Sequence, residues 1–359
     1  MKIFSWLVLI LNIVAVLALF GAYSAAYISP NQFWFIAFLG LSFPIILIIN
    51  FLFIIYWAVT FSFKFLYSFI AILIGITTIQ RFIQFGTVKE QDVPNSINIV
   101  DFNTRAFGAL DDLEYDPAIY FDQLDHIKPD VFCFQEFVSY NTKKDQKMFE
   151  RLFTEYSSFY MFNLNAKTKP YTGYSLSIMS RFPIVKSGFV ERMNSGGNCT
   201  IFVDIAKGGD TIRILNTHLK SIAFEKQDYQ AVEGLKEPDR DISLFNVKHI
   251  AYKLKKAFIA RSKQAEAIRK FIDESPHKVI VTGDFNDSPA SYAYNLIRGD
   301  MKDAFVESGS GFSSTYTGKM PSFRIDYILA DKSFEIINYK PFELSFSDHK
   351  MVSATIKLK

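Results

Sequence analysis

The chain has 359 residues, half of them hydrophobic and 21% charged, with 39 basic against 36 acidic side chains and two cysteines. That length holds one or two domains with an ample core, and the composition excludes a disordered chain, a collagen-like repeat and a disulfide scaffold. The charge is unevenly spread: residues 1–89 carry Lys2, Lys64, Arg81 and Lys89 and no acid, which leaves 35 bases against all 36 acids, net −1, in residues 90–359.

Phe4 to Tyr23 is an apolar run without a charge. Phe33 to Val59 is a second, interrupted only by small polar residues and Pro44. Phe65 to Ile79 is a third, flanked by Lys64 and Arg81. A span needs ~20 apolar residues. The first two runs meet this, and the third meets it by borrowing from residues 57–63 or 80–85. Three such runs without an acid predict a transmembrane helical region over residues 1–85, with three spans, rather than buried core helices. A cleaved signal peptide is the alternative for the first run, given Ala22, Ser24, Ala25 and Ala26 behind it. The two later runs would still hold the chain in a membrane. Tyr23, Tyr27, Trp34 and Trp57 sit near run ends, as interfacial aromatics do. Lys2 and Lys64 place the amino terminus and second loop in the cytoplasm by the positive-inside bias. Three spans then deliver the rest to the far side, which for a multi-pass protein of a bacterial inner membrane is the periplasm; two spans would keep it inside.

Residues 86–95 (GTVKEQDVPN) read as a linker, and residues 96–359 as one α/β domain. Expected strands are Ile97–Phe102, Val131–Phe134, Ser175–Met179, Thr211–Leu215, Val279–Thr282, Ile325–Leu329 and Met351–Leu358. Ala118–Ile127 and Ile250–Ile272 follow a helical period. Residues 222–249 read as a loop insertion. Its Phe224, Tyr229, Leu235, Leu244 and Phe245 either touch a bilayer or cover a sheet edge. Nothing in the spacing pairs Cys133 with Cys199.

The informative feature is what ends each strand. Asn103 follows the first, Gln135-Glu136 the second, Asn216-Thr217-His218 the fourth and Gly283-Asp284-Phe285-Asn286 the fifth. Asp326 lies inside the sixth, where a buried carboxylate must find a partner. Ser347-Asp348-His349 precedes the last. Carboxylates, amides and imidazoles thus recur where strands empty onto a common edge, the usual place for a ligand. His126, His249 and His277 have no such context and read as surface or helix-end residues.

In this order the motifs resemble the endonuclease/exonuclease/phosphatase superfamily, with its deoxyribonuclease-I-like fold. Asp101-Phe102-Asn103, Gln135-Glu136, Ser180-Arg181-Phe182-Pro183-Ile184, Asn216-Thr217-His218-Leu219, Gly283-Asp284-Phe285-Asn286, Arg324-Ile325-Asp326-Tyr327-Ile328 and Ser347-Asp348-His349 carry the likeness across residues 96–359. It implies a four-layer α/β/β/α sandwich and hydrolysis of a phosphoester dependent on Mg²⁺ or Mn²⁺. Glu136 is then the principal metal ligand, with Asn103 beside it as ligand or phosphate contact and Asp348 as a further ligand. Asp284 orients or deprotonates the attacking water, and Asn286 holds a non-bridging oxygen. His349 contacts the phosphate, with Asp326 fixing its tautomer and raising its pKa. His218 gives a hydrogen bond or proton to the phosphate or leaving group. Tyr174, or equally Tyr171, is a phosphate contact. Arg105 stands where the abasic-site nucleases have an acid, which argues for one metal or for a different substrate contact.

Three functions follow. The first is a membrane-tethered phosphodiesterase or phosphatase acting on a lipid headgroup or small phosphoester by direct attack of water. The second is a nuclease, disfavoured because the net charge of −1 gives no basic footprint for nucleic acid. The third is an inactive binding protein, opposed by the joint presence of Glu136, His218, Asp284, Asn286, Asp326 and His349. No protein partner is inferable.

Overall fold

The first apolar run winds into α1 (Lys2–Ser24), and α2 (Pro30–Leu41) and α3 (Phe43–Val59) follow. In this computed structural model, residues 2–86, 93–106, 127, 129–137, 156, 158–163, 175–190, 198–222, 224–225, 228–229, 244–318 and 323–358 are described. The second run is not one straight helix: it breaks at Ser42, and α2 and α3 meet at a 53° bend. Pro44 explains the break, because a residue without an N–H is tolerated in the first turn of a helix and not within one. The third run divides into α4 (Phe65–Ile74) and α5 (Ile76–Ile79) at Gly75. Any Cβ on Gly75 would lie 2.0 Å from the Tyr23 ring. Among the described residues one helix, Ile3–Ser24, is long and apolar enough to cross a membrane alone, and the bent pair makes a second if taken as one span.

A buried polar chain joins three of these helices. Asn12 donates to Ser68 Oγ at 2.6 Å, Ser68 to Asn50 Oδ1 at 2.9 Å, and Trp57 Nε1 to Asn12 Oδ1 at 3.0 Å. Asn50 closes the chain on the carbonyls of Ala15 and Ile46 at 3.0 and 2.9 Å. Such satisfied groups hold helices together where the surroundings are apolar.

The remainder forms two six-stranded sheets. One contains β2 (Ser96–Asn103), β3 (Val131–Phe137), β4 (Ser158–Asn163), β5 (Ser175–Ser180), β13 (Glu335–Phe342) and β14 (Met351–Lys357) in the order 13-14-2-3-5-4. The other contains β6 (Ile184–Val190), β7 (Thr200–Lys207), β8 (Asp210–His218), β9 (Lys278–Asp284), β10 (Lys302–Asp303) and β12 (Asp326–Ala330) in the order 10-12-9-8-7-6. Isoleucines and valines of both sheets, among them Ile99, Val131, Ile178, Val203, Ile214, Ile280 and Val352, interdigitate between them. On the far face of the second sheet lie α6 (Leu244–Asp273) and α7 (Tyr292–Arg298), through Ala265, Ile268, Ile272, Tyr294 and Ile297. The short α8 (Ala304–Ser308) follows β10. The outer face of the first sheet is aromatic, with Phe102, Phe132, Phe134 and Tyr156. The expected helix at 118–127 lies outside the described residues except for Ile127.

The expected boundary at residue 85 is not a break in contacts. Residues 81–85 join the sandwich: β1 (Ile83–Phe85) pairs antiparallel with β11 (Ser310–Phe312). The side chain of Arg81 donates to the Pro289 carbonyl at 3.3 Å, and Arg324 donates to the Arg81 carbonyl at 2.9 Å. Gly40 of α2 lies so near that a Cβ there would stand 3.2 Å from the Ala290 carbonyl. Phe38 meets Phe258 of α6 edge to face at 5.3 Å. The helical region and the sandwich are therefore seated on each other by buried contacts, some of them beside the strand ends.

Candidate active site

Three neighbouring strands set the first row. In register, His218 of β8 stands opposite Asp284 of β9, and Asp284 opposite Asp326 of β12. Residues in register point to the same face, so the three side chains converge at one end of the second sheet. Gly283 makes this approach possible. Its φ is 134°, and a Cβ there would lie 1.9 Å from the Thr217 carbonyl oxygen. Only glycine fits such a position.

The facing sheet supplies a second row. Asn103 ends β2, opposite Gln135 of β3, and Asn103 Nδ2 donates to Asp284 Oδ2 at 3.1 Å. This bond spans the two sheets. Glu136 has φ 50°, in the left-handed region, where β3 bulges between Phe134 and Phe137. A bulge re-aims a side chain at a strand end, and here it carries the Glu136 carboxylate to 3.8 Å from His218 Nε2. Asn286, also left-handed at φ 53°, folds back so that its N–H and its Nδ2 donate to Asp284 at 2.8 and 3.1 Å.

His349 enters from the loop before β14. Its Nδ1–H donates to Asp326 Oδ1 at 3.0 Å, which leaves Nε2 facing Asp284 Oδ2 at 3.8 Å. Asp284, Asp326 and His349 form a group of metal-capable side chains, with one ligand atom of each within 4.8 Å of the others. Its inner contact is the hydrogen bond from Nδ1 to Asp326, so this part reads as an aligned imidazole and not as a ligand shell. Asp348 is adjacent, but its Oδ2 is held by Arg105 at 2.8 Å.

The electrostatics follow from burial. Burial pushes the Asp284 carboxyl up, Asp326 pushes it further against the pull of His349, and it settles at about 6. Burial alone would lower the His349 imidazolium, but Asp326 and Asp284 outweigh it and raise it to about 10. His218 goes the other way, because burial and the repulsion of His349 exceed the attraction of Asp284. Burial also raises Glu136, with His349 opposing. The same buried cluster thus contains an ionisable acid poised just below neutrality, one protonated imidazole and one neutral imidazole. These are states that acid–base chemistry at neutral pH requires.

The structure therefore brings together His218, Asp284, Asn286, Asp326, His349, Asn103, Glu136 and Asp348. Tyr171 and Tyr174 lie outside the described residues, as do His126 and Leu235; of Leu244 and Phe245 only the backbone is described. His249 and His277 face other carboxylates, 3.6 Å from Asp228 and 3.8 Å from Asp204. Cys133 and Cys199 are both buried and free.

Thr315 and Tyr316 were not foreseen, and other supporting residues were named in the motifs or the insertion without these contacts. Thr315 Oγ1 accepts the N–H groups of Ile325 and Asp326 at 3.0 and 3.1 Å and so fixes the start of β12. Tyr316 places its ring edge to face with His349 at 5.4 Å. Tyr229, from the insertion after β8, is hydrogen-bonded to the phenol of Tyr316. Ser347 Oγ donates to the Asn103 carbonyl and accepts from His349 N–H at 2.8 and 3.1 Å. Beneath the site, Gln135 Nε2 donates to Asp101 and Asn216 at 2.8 and 2.7 Å.

Comparison with known proteins agrees with this architecture. Residues 102–349 match the family described as "Endonuclease/Exonuclease/phosphatase family". Residues 3–82 match one described as "Domain of unknown function (DUF8431)". No curated protein matches the sequence. Among solved structures, D. rerio TDP2 complexed with a single-strand DNA product is similar at TM-score 0.52 and 18% identity, covering 73% of this chain and 99% of that one. The human Nocturnin catalytic domain with a bound sulfate anion is similar at TM-score 0.52 and 16% identity, covering 75% and 97%. A functionally unknown conserved protein from Enterococcus faecalis V583 is similar at TM-score 0.52 and 13% identity, covering 73% and 100%. At these identities the likeness is one of fold.

Proposed function

The chain belongs to the endonuclease/exonuclease/phosphatase family, and on that premise we propose that it is a membrane-tethered, divalent-metal-dependent phosphodiesterase or phosphatase. The observation that carries this reading is the Asp284 carboxylate, buried and ringed by Asn103, Asn286, His218 and His349 at 3.1 to 3.8 Å. Asp284, ionised above about 6, accepts the proton of the attacking water. His349, protonated and aligned by Asp326, donates to a non-bridging phosphate oxygen. Asn286 and Asn103 hold further phosphate oxygens, and His218 faces the leaving group. Among the described residues the serine of this cluster, Ser347, has its hydroxyl committed to the Asn103 carbonyl and the His349 N–H, so water attacks phosphorus directly.

The donor set fits a hard cation. Glu136 offers a carboxylate that burial disfavours, with the neutral imidazole of His218 3.8 Å away. The Asn103 side chain hydrogen-bonds that carboxylate, and with Asp348 these residues would offer the oxygen donors that Mg²⁺ or Mn²⁺ takes. Such a cation neutralises charge on the phosphoryl group.

A panel of bis-p-nitrophenyl phosphate, p-nitrophenyl phosphate, plasmid DNA and phospholipid in detergent tests the reading. Hydrolysis abolished by EDTA and restored by Mg²⁺ or Mn²⁺ is expected. Glu136→Gln should raise the half-saturating metal concentration by about 10–100-fold, in line with losses seen at metal sites. Metal-independent turnover, or none with any substrate, would sink the proposal. The nuclease reading keeps one specific support: the D. rerio neighbour was solved with a single-strand DNA product. Preferential cleavage of the plasmid would favour it.

The membrane part of the proposal rests on the helix ends. Lys64 Nζ donates to Ser5 Oγ at 3.0 Å, so Lys2 and Lys64 share one end of the helical region. Arg81 and the sandwich lie at the other. With α1, α3 and α4 joined by the asparagine chain, three passes put the positive end in the cytoplasm and the sandwich outside it. A phosphatase reporter fused after Lys359 should be active in the periplasm; activity of a cytoplasmic reporter instead would reverse the topology.

A further inference from the structure

The β1–β11 ribbon has a face that nothing in the described structure covers. Ile83 stands opposite Phe312 and Phe85 opposite Ser310, while Gln84 and Gly311 pair between them. Alternation along a strand puts Ile83, Phe85 and Phe312 on one side. Phe85 is 88% exposed and Phe312 83% exposed. Residues 82–86 and 309–313 contain no charged side chain, although exposed strands in water are ordinarily protected by charges.

The ribbon also has a defined height. Phe82, the residue before it, stacks on Phe43 at the start of α3 at 5.0 Å, and Tyr23 near the end of α1 meets the same ring at 5.9 Å. The ribbon therefore begins where the apolar helices end, on the side away from Lys64. Tyr27 at the end of α1 and Trp34 and Phe35 on α2 are exposed at that same end, and Lys255 holds its ammonium 4.5 Å over the Trp34 ring. Aromatic rings beside lysines whose stems lie on apolar surface are the signature of a bilayer interface.

We propose that the ribbon face of Ile83, Phe85 and Phe312 rests in the headgroup–acyl boundary of the bilayer that holds α1, α3 and α4. The inference depends on the membrane reading above. Its occupant is lipid because the face is continuous with the helical region, uncharged and level with the aromatic end. The contact also leads to the site. Ser313 N–H donates to the Phe82 carbonyl at 3.0 Å, and Thr315 and Tyr316, a few residues on, hold the start of β12 and the His349 ring. The ribbon thus fixes the catalytic end of the sandwich relative to the membrane surface.

The test uses the full chain in phosphatidylcholine–phosphatidylglycerol nanodiscs. Phe312→Cys and, separately, Phe85→Cys are labelled with a nitrobenzoxadiazole dye, with unlabelled-site background taken from the wild type, whose cysteines are buried. Leu11→Cys on α1 reports lipid and Phe189→Cys on β6 reports water. Labels at 312 and 85 should emit to the blue of the label at 189 and lose at least half their intensity to nitroxide-bearing phosphatidylcholine. If 11 is quenched while 312 and 85 behave like 189, the ribbon lies in water and the inference fails alone. A blue-shifted label that lipid nitroxide does not quench would mean protein, such as a second copy, covers the face, and also overturns it. If 11 too is unquenched, the membrane reading fails first and the ribbon with it.

Discussion

His349→Ala is expected to lower kcat by roughly a thousandfold, within the ~10²–10⁴ range of a lost acid–base partner, with KM changed far less. The imidazole gives its Nδ1–H to Asp326 at 3.0 Å and turns Nε2 toward Asp284. Alanine keeps the loop, because Ser347 Oγ accepts from the backbone N–H of residue 349. What it removes is the imidazolium that Asp326 and Asp284 hold protonated, raised to about 10. Asp326→Asn separates charge from geometry. The amide oxygen still accepts from Nδ1, but the negative charge that opposes burial is gone, so the His349 pKa falls. A step that needs the imidazolium is intact below that pKa and lost above it. The alkaline limb of the kcat–pH profile, near 10 in the wild type, should therefore move toward neutrality in Asp326→Asn. The acid limb, set by Asp284 at about 6, should move down as well, since Asp326 contributes to holding it up. A His349→Ala rate within tenfold of wild type, or an unmoved alkaline limb, would remove His349 from the reaction.

What could be read in advance was the polar residue at the end of each strand. Asn103, Glu136, His218 and Asp284 were legible because short apolar runs mark where a strand stops, and the polar residues that follow fall on the sheet edge. Asp326 was the strongest mark, a carboxylate within an apolar run that the structure pairs with His349. Backbone details were not legible. Glu136 and Asn286 adopt left-handed φ at residues that do not require it, which depends on tertiary context. Thr315 and Tyr316 were missed because their value lies in tertiary contacts, one hydroxyl meeting the start of β12 and one ring meeting His349 over 30 residues away. β7 (TIFVDIAK) was missed because Asp204 interrupts its apolar run; Arg213 of β8 chelates that acid at 2.7 and 2.8 Å. Composition located the apolar helices, but not the break at Ser42 or the seating of α2 on α6. A run of hydrophobic residues says that a segment leaves water and not what it meets.

Arg324→Met is expected to destabilise the sandwich by about 3–5 kcal/mol, the cost of leaving one member of a buried ion pair alone. Arg324 is 1% exposed and grips Asp303 with Nη1 at 2.8 and 2.7 Å to its two oxygens. The rings of Tyr327, Phe305 and Tyr294 surround the guanidinium at 4.7 to 5.7 Å. Asp303 cannot easily leave, since it caps α8 through Phe305 N–H at 3.0 Å and accepts from the Tyr294 hydroxyl at 2.6 Å. Methionine fills the space but abandons that carboxylate in a dry site. For a domain of this size the loss corresponds to roughly 6–20 °C in Tm. Arg324→Lys should recover only part of it, because an ammonium can hold Asp303 but cannot also span to the Arg81 carbonyl as the planar guanidinium does with its second nitrogen. The consequences reach the site and the membrane region together. Arg324 lies two residues before Asp326 and also donates to the Arg81 carbonyl at 2.9 Å, while the Arg81 side chain holds the Pro289 carbonyl beyond Asn286. Two guanidiniums, those of Arg324 and Arg81, thus tie the end of the apolar helices to the chain beside both strands that carry the carboxylates. Asp303→Asn combined with Arg324→Met should be less damaging than the sum of the two single changes, since the stranded charge is removed. A thermal shift of Arg324→Met under about 2 °C, or strict additivity in that pair, would show that the contact is incidental.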